Sequence, residues 1–410
     1  MSNLLYTFLL IVYDKLLYVV SFFHTKAKGR IQNQFNFREA ISQRDYTKKL
    51  IWFHCASLGE FEQGRPVIEA FKRVNPDWQL LLTFYSPSGY NVRKNYNGAD
   101  IICYLPADIP QNVTEFLTAF KPDEAVFVKY EFWHNYIKKL YEWSIPIISI
   151  STILRSNQYF FKWYGGFGRR TLERINHFFV QNVETKQLLN AIGIQQVTLA
   201  GDTRFDRVWQ TAQDIKKIPA AASFKNGQDM LVAGSVWAED MAVLIPVINQ
   251  LKLKCIIAPH EIEAQEIKKW QAQINKKSIR YSEIDANIDL SQYEVLFIDN
   301  VGMLSALYQY ADMAFIGGAY GAGLHNILEA ATFGVPIFFG NQYYAKFQEA
   351  EDLLVLKSAH AVADSKELLK NLRTHLQDEL LRKSIAKQNK AYIETHIGAT
   401  TLIINYLLRK

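Results

Sequence analysis

Gly317 to Gly340 read GGAYGAGLHNILEAATFGVPIFFG, and this stretch predicts a glycine-rich turn and a helix between two strands. The apolar run MAFI ends just before the first glycine, and the run VPIFFG closes the stretch. Glycines let the backbone approach a ligand closely, and the pattern predicts a helix over Asn326–Phe333 that starts at the His325-Asn326 pair. The free N–H groups of a helix start suit a phosphate. Glu329, one turn further, could accept two hydrogen bonds from a ribose diol.

From Leu50 onward, short apolar runs alternate with amphipathic patterns, a rhythm that is typical of βαβ units with a parallel sheet. The runs predict the strands LIWFHC, WQLLLTFY, ADIICYL, EAVFVKY, IPIISIS, HFFVQN, DMLVAGS, KCIIAPH, EVLFIDN, MAFIGG and VPIFFG. The patterns between them predict helices at Phe61–Arg73, Gln111–Phe120, Trp133–Trp143, Trp237–Leu251, Ile262–Ile274, Val301–Ala311 and Asn326–Phe333. We therefore expect an α/β fold with two Rossmann-like, doubly wound domains facing a cleft, in which ligands bind beyond the carboxyl ends of the strands.

The domain organisation follows from a polar interruption of this rhythm at 206–228, which contains a proline and a run of small residues. The predicted segments are a membrane-anchor helix at 1–25, an N-terminal Rossmann-like domain at 26–206, a C-terminal Rossmann-like domain at 207–365 and C-terminal helices at 366–410. We expect the last segment to pack back toward the first domain.

The N-terminal run Leu4–Phe23 has about the length that crosses a bilayer core of roughly 30 Å. Asp14 and Lys15 lie in its middle, where a charge costs roughly 2.5–3.5 kcal/mol. A helix that lies in one leaflet turns these charges toward water and avoids that cost. Basic residues follow, as the positive-inside rule expects on the cytoplasmic side: Lys26, Lys28 and Arg30. We predict a membrane anchor; a buried core helix is the alternative.

The charge distribution argues against nucleic-acid binding. The formal net charge is +6, but residues 1–50 hold eight Lys/Arg and three Asp/Glu, a net of +5, so the rest of the chain is nearly neutral. This favours one local basic patch that faces an anionic membrane surface. The three cysteines, Cys55, Cys103 and Cys255, show no spacing of a zinc site or a disulfide framework. No D-x-D occurs, so neither a metal nor a cofactor is expected.

Polar residues follow three predicted strands of the first domain: Ser57, Gly59, Glu60, Ser86, Ser88, Gly89 and Glu131. Glu60 lies at a helix start, where the helix dipole favours the ionised form. Facing a cleft, such a carboxylate can act as a general base; elsewhere it is only a charge near a dipole.

The second domain and the junction offer further candidates. Ser235 ends one predicted strand, where its hydroxyl could bind phosphate oxygens or simply cap a helix. His260 ends another strand, where it could contact a phosphate or a base or serve only the structure. Arg204 lies near the domain junction.

Seven motifs occur together and in a familiar order: HCASLGE, TFYSPSG, YLPAD, YEFWHN, GDTRFD, AGS and GGAYGAGLHNILEAATFGVPIFFG. With them the chain resembles the 3-deoxy-D-manno-octulosonic acid (Kdo) transferases of lipopolysaccharide synthesis, from the N-terminal run to about residue 355. The resemblance implies a two-domain GT-B glycosyltransferase on the cytoplasmic face of the cell inner membrane. It would transfer Kdo from CMP-Kdo to the lipid A precursor (lipid IVA), with inversion.

The resemblance also implies roles for single residues. Glu60 matches the family's catalytic base. Acceptor or cleft positions are Ser57, Gly59, Ser86, Ser88, Gly89 and Glu131. Positions implied to bind CMP-Kdo are Arg204, Ser235, His260, Gly323, Leu324, His325, Asn326 and Glu329. The chain departs from the family pattern at Lys129, where the family has glutamate, and at Pro259, where it has arginine.

Two other functions are compatible with these patterns. One is another GT-B enzyme, either a transferase that uses a UDP-sugar or a nucleotide-sugar epimerase; a membrane anchor argues against a soluble epimerase. The other is a membrane-attached protein that binds a nucleotide and has lost catalysis, against which the presence of Glu60 argues.

Overall fold

The computed structural model of the protein describes residues 3–409, and for Lys26 only the backbone. The chain forms two compact units: Met1–Arg207 together with His396–Lys410, and Val208–Thr395. Each unit contains a parallel sheet that helices cover on both faces. The predicted fold class, two Rossmann-like α/β domains, is therefore confirmed.

The first sheet has, within the described residues, seven parallel strands in the order β3-β2-β1-β4-β5-β6-β7. The strands are β1 Leu50–Cys55, β2 Gln79–Phe84, β3 Ile101–Tyr104, β4 Glu124–Val128, β5 Ile147–Thr152, β6 His177–Val180 and β7 Val197–Leu199. The helices up to the junction are α1 Asn3–Val20, α2 Thr25–Asn33, α3 Phe37–Ala40, α4 Leu58–Val74, α5 Pro87–Arg93, α6 Pro110–Phe120, α7 His134–Glu142, α8 Gly166–Leu172, α9 Val183–Ala191 and α10 Thr203–Gln213.

The second sheet also has seven parallel strands in the described part of the other unit, but its order is β10-β11-β9-β8-β12-β13-β14, so β11 lies between β9 and the edge strand β10. Its strands are β8 Met230–Val236, β9 Lys254–Pro259, β10 Ser278–Arg280, β11 Val295–Phe297, β12 Met313–Ile316, β13 Ile337–Gly340 and β14 Ala359–Val362. The remaining helices are α11 Pro219–Lys225, α12 Ala238–Gln250, α13 Ala264–Gln273, α14 Leu304–Leu307, α15 Leu328–Ala331, α16 Gln348–Val355, α17 Ser365–Gln377, α18 Glu379–His396 and α19 Ala399–Leu407. Short 3₁₀ segments lie at Ile41–Gln43, Tyr159–Phe161, Tyr281–Glu283, Leu290–Gln292 and Tyr308–Tyr310.

The continuous apolar runs form the centres of the sheets because both faces of these strands are buried. Every residue of β1 is buried. Trp52 packs with apolar residues of α6 and α7 on one face. On the other face, Phe53 packs in a cluster that includes residues of α4 and of the last helix, α19. Thus α19 belongs to the core of the first unit.

The sequence patterns do not predict three short strands, β7, β10 and β14, and all three are edge strands. Their sequences, VTL, SIR and AHAV, contain polar residues and each strand is partly exposed, so no continuous apolar run marks them.

The helix of the glycine-rich stretch is shorter than the predicted Asn326–Phe333. It is a single turn, α15, which begins at Leu328. Its N-terminus therefore provides much less of a dipole than the prediction assumed, because the macrodipole grows with the number of aligned peptides. His325 and Asn326 lie in the loop before it.

By its length and composition, helix α1 is long and apolar enough to cross a membrane. Its 18 residues have a mean hydropathy of 1.5, and none of them is buried. The alternative of a core helix is therefore wrong. Leu4 is 84% exposed, and Phe8 and Leu16 are also exposed. By contrast, the Tyr6 hydroxyl points inward and donates to Asp108 Oδ2 at 2.7 Å. The apolar face of α1 thus points away from the protein, while a polar group fixes the helix to the first unit.

Arg30 does not take part in an exposed basic patch, contrary to prediction. Its side chain is only 4% exposed. One guanidinium nitrogen donates to the Leu105 carbonyl at 2.7 Å, and the guanidinium lies 4.3 Å from the centre of the Tyr85 ring. Lys28 is exposed. Stacking on tyrosine therefore explains why this arginine is buried.

Candidate active site

In each sheet, two neighbouring strands mark the point where the strand order reverses. They are β1 and β4 in the first sheet and β8 and β12 in the second. Helices that follow such strands leave toward opposite sides, so a crevice opens beyond their carboxyl ends, and ligands bind there in doubly wound folds. We call the carboxyl ends of β1 and β4 the first edge and those of β8 and β12 the second edge.

Glu60 lies just beyond β1, in the first turn of α4. Ser57 is the N-cap, and its hydroxyl accepts from the Glu60 N–H at 3.4 Å. The Glu60 carboxylate accepts from the Ala56 N–H at 2.5 Å, much as in a capping box. The side chain is only 7% exposed, and this burial raises its pKa although the backbone hydrogen bonds oppose the effect. The local sequence therefore holds a desolvated carboxylate in a fixed position.

Glu131 lies beyond β4 and is the partner of Glu60. The chain leaves β4 through Lys129, whose φ of 64° turns the backbone sharply. Burial, and then the negative charge of Glu60, raise the pKa of Glu131 to about 8. Two carboxylates that share a site do not both ionise readily, so one of them keeps a proton. At neutral pH we therefore assign the proton to Glu131 and the negative charge to Glu60.

A buried histidine that the sequence reasoning missed orients the segment after Glu131. Trp133 Nε1 donates to His54 Nε2 at 3.2 Å, so the proton of His54 lies on Nδ1, which contacts the Thr83 hydroxyl at 2.9 Å. Burial lowers the pKa of His54 to about 3, so the ring is neutral. The signal that could have revealed it is a histidine inside the otherwise apolar strand β1.

The turn after β2 joins the same edge. The Ser86 N–H donates to the Ala56 carbonyl at 2.7 Å, and the Ser86 hydroxyl lies 2.9 Å from that of Ser88. A Cβ at Gly89 would lie 2.3 Å from the Phe84 ring, whereas one at Gly59 would meet nothing within 4 Å. Gly89 is thus required for packing, and Gly59 leaves open space above the helix start.

Arg204 lies in the first unit, at the start of α10, whereas the other predicted donor residues belong to the second unit. Its guanidinium pairs with Asp202, with Nη2 to Oδ2 at 2.7 Å. Any ligand that it binds must therefore share this cation with a carboxylate.

In the second unit, a buried aspartate that the sequence reasoning missed holds the glycine-rich turn. Asp240 Oδ2 accepts from the N–H groups of Gly318 and Trp237, both at 2.8 Å. A Cβ at Gly317 would lie 2.3 Å from the Ser235 carbonyl oxygen. Ser235 itself has a φ of 53° at an irregularity of β8. These contacts bring the ends of β8 and β12 together.

Three aromatic rings stack beside this turn. The rings of Trp237 and His325 are nearly parallel, with centroids 6.4 Å apart, and the His260 ring packs against both, with centroid distances of 4.4 and 4.3 Å. Trp237 Nε1 donates to His325 Nε2 at 3.0 Å. Burial lowers the pKa of His260 and brings that of His325 to about 4. Both histidines are therefore neutral at pH 7, and they offer a flat surface and ring nitrogens rather than positive charge.

Glu329 is hydrogen-bonded within the protein. The Ser305 hydroxyl donates to Oε2 at 2.8 Å, and the Asn326 amide donates to Oε1 at 3.2 Å. The Asn326 Oδ1 also accepts from the Leu328 N–H at 3.2 Å. The two predicted donor residues Asn326 and Glu329 thus lie together, and a ribose would be an additional partner for this carboxylate.

A cation that the sequence reasoning missed lies at the glycine-rich turn. Gly323 has a φ of 109°, and a Cβ there would lie 3.1 Å from the Lys346 amino group. The neighbouring Leu324 is buried and donates its N–H to the Tyr343 carbonyl at 3.2 Å. Lys346 follows β13 in an exposed loop. No apolar pattern in the sequence therefore indicates its position.

Among residues 3–409, no group of three or more His, Cys, Asp and Glu side chains is arranged to hold a metal ion. Positive charge and N–H groups at the second edge are therefore the available anion-binding groups in the described structure.

Comparison with known proteins relates these two edges to one family. Residues 29–207 match the family profile described as 3-deoxy-D-manno-octulosonic-acid transferase (kdotransferase). A 3-deoxy-D-manno-octulosonic acid transferase of Chlamydophila psittaci is 27% identical over 353 residues, which are 81% of this chain and 78% of that protein. One of Rickettsia prowazekii is 24% identical over 359 residues, 86% of this chain and 76% of that protein.

Among solved structures, the UDP-GlcNAc 2-epimerase of Neisseria meningitidis bound to UDP-GlcNAc has a TM-score of 0.60 at 14% identity. The match covers 88% of this chain and 100% of that one. At this identity the likeness concerns the fold alone. The sequence matches agree with the seven motifs: residues 29–207 match the Kdo transferase profile, and the chain is similar over most of its length to 3-deoxy-D-manno-octulosonic acid transferases.

Proposed function

We propose that this chain transfers Kdo from CMP-Kdo to the lipid A precursor lipid IVA, with inversion at the transferred carbon. The observation that carries the proposal is the pair of buried carboxyl groups at the first edge, in which burial and the nearby Glu60 raise the pKa of Glu131 to about 8. This pair lies in the unit that matches the Kdo transferase family.

Glu60 acts as the general base in this proposal. A sugar hydroxyl is a weak nucleophile until a base takes its proton as the new bond forms. The acceptor oxygen bonds to the anomeric carbon of Kdo, the bond from that carbon to the CMP oxygen breaks, and the acceptor proton passes to Glu60. CMP leaves with the electron pair. Because Glu131 is protonated, it adds no second negative charge beside this base or beside the anionic substrates.

The second unit binds the nucleotide in this proposal. A flat stack of Trp237, His260 and His325 suits a base. Lys346, beside Gly323 in the glycine-rich turn, supplies positive charge to a phosphate. Arg204, Ser235, Gly323, Leu324, Asn326 and Glu329 remain predicted donor-binding residues.

Helix α1 places the enzyme at its lipid substrate. Its apolar side chains are exposed along the helix, so contact with a bilayer would remove them from water, at about 25 cal/mol per Å² of apolar surface. We infer attachment to the cytoplasmic face of the inner membrane, where an acylated acceptor resides.

Nucleotide selectivity tests this proposal against a UDP-sugar enzyme. Calorimetry on the purified chain should give at least tenfold tighter binding of CMP than of UDP, and CMP-Kdo should be consumed only when lipid IVA is present. Tighter binding of UDP would favour another GT-B enzyme. CMP binding without consumption of CMP-Kdo would favour a protein that binds nucleotide and has lost catalysis.

A further inference from the structure

An apolar cavity of about 260 Å³ lies directly beside Glu131 in the first unit. Its walls are Tyr130, Phe132, Gln158, Tyr159 and Phe160. Tyr130 and Phe132 are the chain neighbours of Glu131 on either side. Nothing in the proposed chemistry uses this cavity. Its volume is below the roughly 300–1,000 Å³ of a pocket that holds a whole ligand, so it suits one segment of a larger molecule.

The walls of the cavity are fixed by packing. The rings of Tyr159 and Phe160 lie 4.1 Å apart, and Phe160 meets Phe132 edge-on at 5.8 Å. A Cβ at Gly168 would lie 2.4 Å from the Tyr159 ring, so this glycine makes room for it. Arg169 donates to the Phe160 carbonyl at 3.0 Å. These contacts hold the aromatic surface in place.

The cavity is connected with helix α1 through α8. Phe167 of α8 lies 5.3 Å from the Tyr6 ring of α1, and Tyr6 also meets His134 at 5.5 Å. The exposed apolar face of α1 thus begins next to the element that supports Tyr159.

The loop between the cavity and α8 has the composition of a membrane interface. Trp163 is 90% exposed and Tyr164 is also exposed. Residues 155–172 contain four basic residues and no Asp or Glu. Exposed Trp and Tyr with basic neighbours suit the boundary between acyl chains and phosphate groups.

We propose that this cavity binds an acyl chain of the lipid acceptor and thereby holds the acceptor sugar at Glu60 and Glu131. The proposal rests on the proposed function, because that function supplies an acylated, phosphorylated acceptor. The apolar lining, the basic loop and the position beside Glu131 together favour the acceptor's own chain over a separate small ligand.

The first test compares two acceptors, tetraacylated lipid IVA and the same disaccharide bisphosphate after complete removal of its acyl chains. Tyr159→Ala should raise the KM for lipid IVA about tenfold, equivalent to about 1.4 kcal/mol, with kcat within twofold. With the deacylated acceptor, Tyr159→Ala should have the same KM and kcat as the wild type. Tyr141→Ala is the matched control, because Tyr141 is an exposed tyrosine on α7 of the same unit. An equal effect of Tyr159→Ala on both acceptors would overturn the proposal, because the ring would then serve the sugar or the fold.

The second test needs neither a variant nor turnover. A fatty acid with a diazirine near its methyl end is photolysed with the wild-type chain in detergent, and the labelled peptides are mapped. We expect label within residues 155–161 that lipid IVA removes and an equal amount of phosphatidylglycerol does not. Equal competition by the phospholipid, or label elsewhere only, would contradict the acyl site. If the chain transfers no Kdo at all, the proposed function fails, and this labelling still decides whether the cavity binds acyl chains.

Discussion

Replacing Glu131 by glutamine should make the first unit more stable at high pH than the wild type. Glu131 has a pKa of about 8 in the folded chain, above the ordinary value of 4.5. Between these two values the folded chain holds a proton that the unfolded chain has lost. The free energy of unfolding of the wild type therefore falls as the pH rises through this window.

The size of the effect follows from the pKa difference. A rise from 4.5 to about 8 corresponds to at most ~5 kcal/mol, at ~1.4 kcal/mol for each unit of pKa. Part of this energy comes from the charge of Glu60. We therefore expect the free energy of unfolding of Glu131→Gln, relative to that of the wild type, to be ~2–4 kcal/mol higher at pH 9 than at pH 5.

Urea unfolding of the full chain at pH 5, 7 and 9, followed by far-UV circular dichroism, measures this difference. Glu184→Gln is the control, because Glu184 is an exposed glutamate in the first turn of α9 in the same unit. If the stability difference between Glu131→Gln and the wild type stays within ~0.5 kcal/mol from pH 5 to pH 9, Glu131 does not hold a proton at neutral pH.

Four further changes test other parts of the account. Glu60→Gln should lower kcat by roughly 10²–10⁴-fold while calorimetry finds CMP binding unchanged; near-normal turnover would remove Glu60 as the base. Lys346→Met should raise the KM for CMP-Kdo about tenfold with little change in the KM for the acceptor, since one charged hydrogen bond is lost; equal changes in both constants would contradict a donor role. Gly317→Ala should destabilise the second unit by roughly 1–3 kcal/mol, because its Cβ would meet the Ser235 carbonyl oxygen at 2.3 Å; unchanged urea unfolding would count against that packing. Deleting residues 1–24 should release the chain from vesicles in a flotation assay and leave it folded, whereas continued flotation would assign membrane binding to other segments.

The centres of both sheets could be predicted from the sequence because their strands are buried on both faces. LIWFHC predicts β1 with its observed bounds, Leu50–Cys55. The edge strands β7, β10 and β14 could not be predicted, because VTL, SIR and AHAV are partly exposed and contain no continuous apolar run.

The short helix α15 shows a second limit of sequence patterns. The pattern from Asn326 to Phe333 is helical, but the observed helix runs only from Leu328 to Ala331. The chain then turns at Gly334, where φ is 73°. A Cβ there would lie 3.0 Å from the backbone of Ala386 in α18. The close approach of α18 is a tertiary contact, so no local pattern in the sequence indicates it.

The individual residues of the site could be predicted, but their electrostatic states could not. Glu60 and Glu131 stand out because each follows a strand, but the proton on Glu131 depends on burial and on the pairing of β1 with β4. Likewise, His260 and His325 are candidate donor-binding residues in the sequence, but the lowering of their pKa values by burial follows only from the fold. Lys346 was missed because only the fold brings it to Gly323.

The measurement that tests the central claim most directly is the product of one incubation. The purified full-length chain is mixed with CMP-Kdo and lipid IVA, and the lipid fraction is analysed by mass spectrometry, with Glu60→Gln treated in parallel. The account predicts lipid IVA carrying at least one added Kdo for the wild type, with an equal amount of CMP released, and almost no product for the variant. Unmodified lipid IVA in the wild-type reaction, with the chain folded and CMP bound, would contradict it.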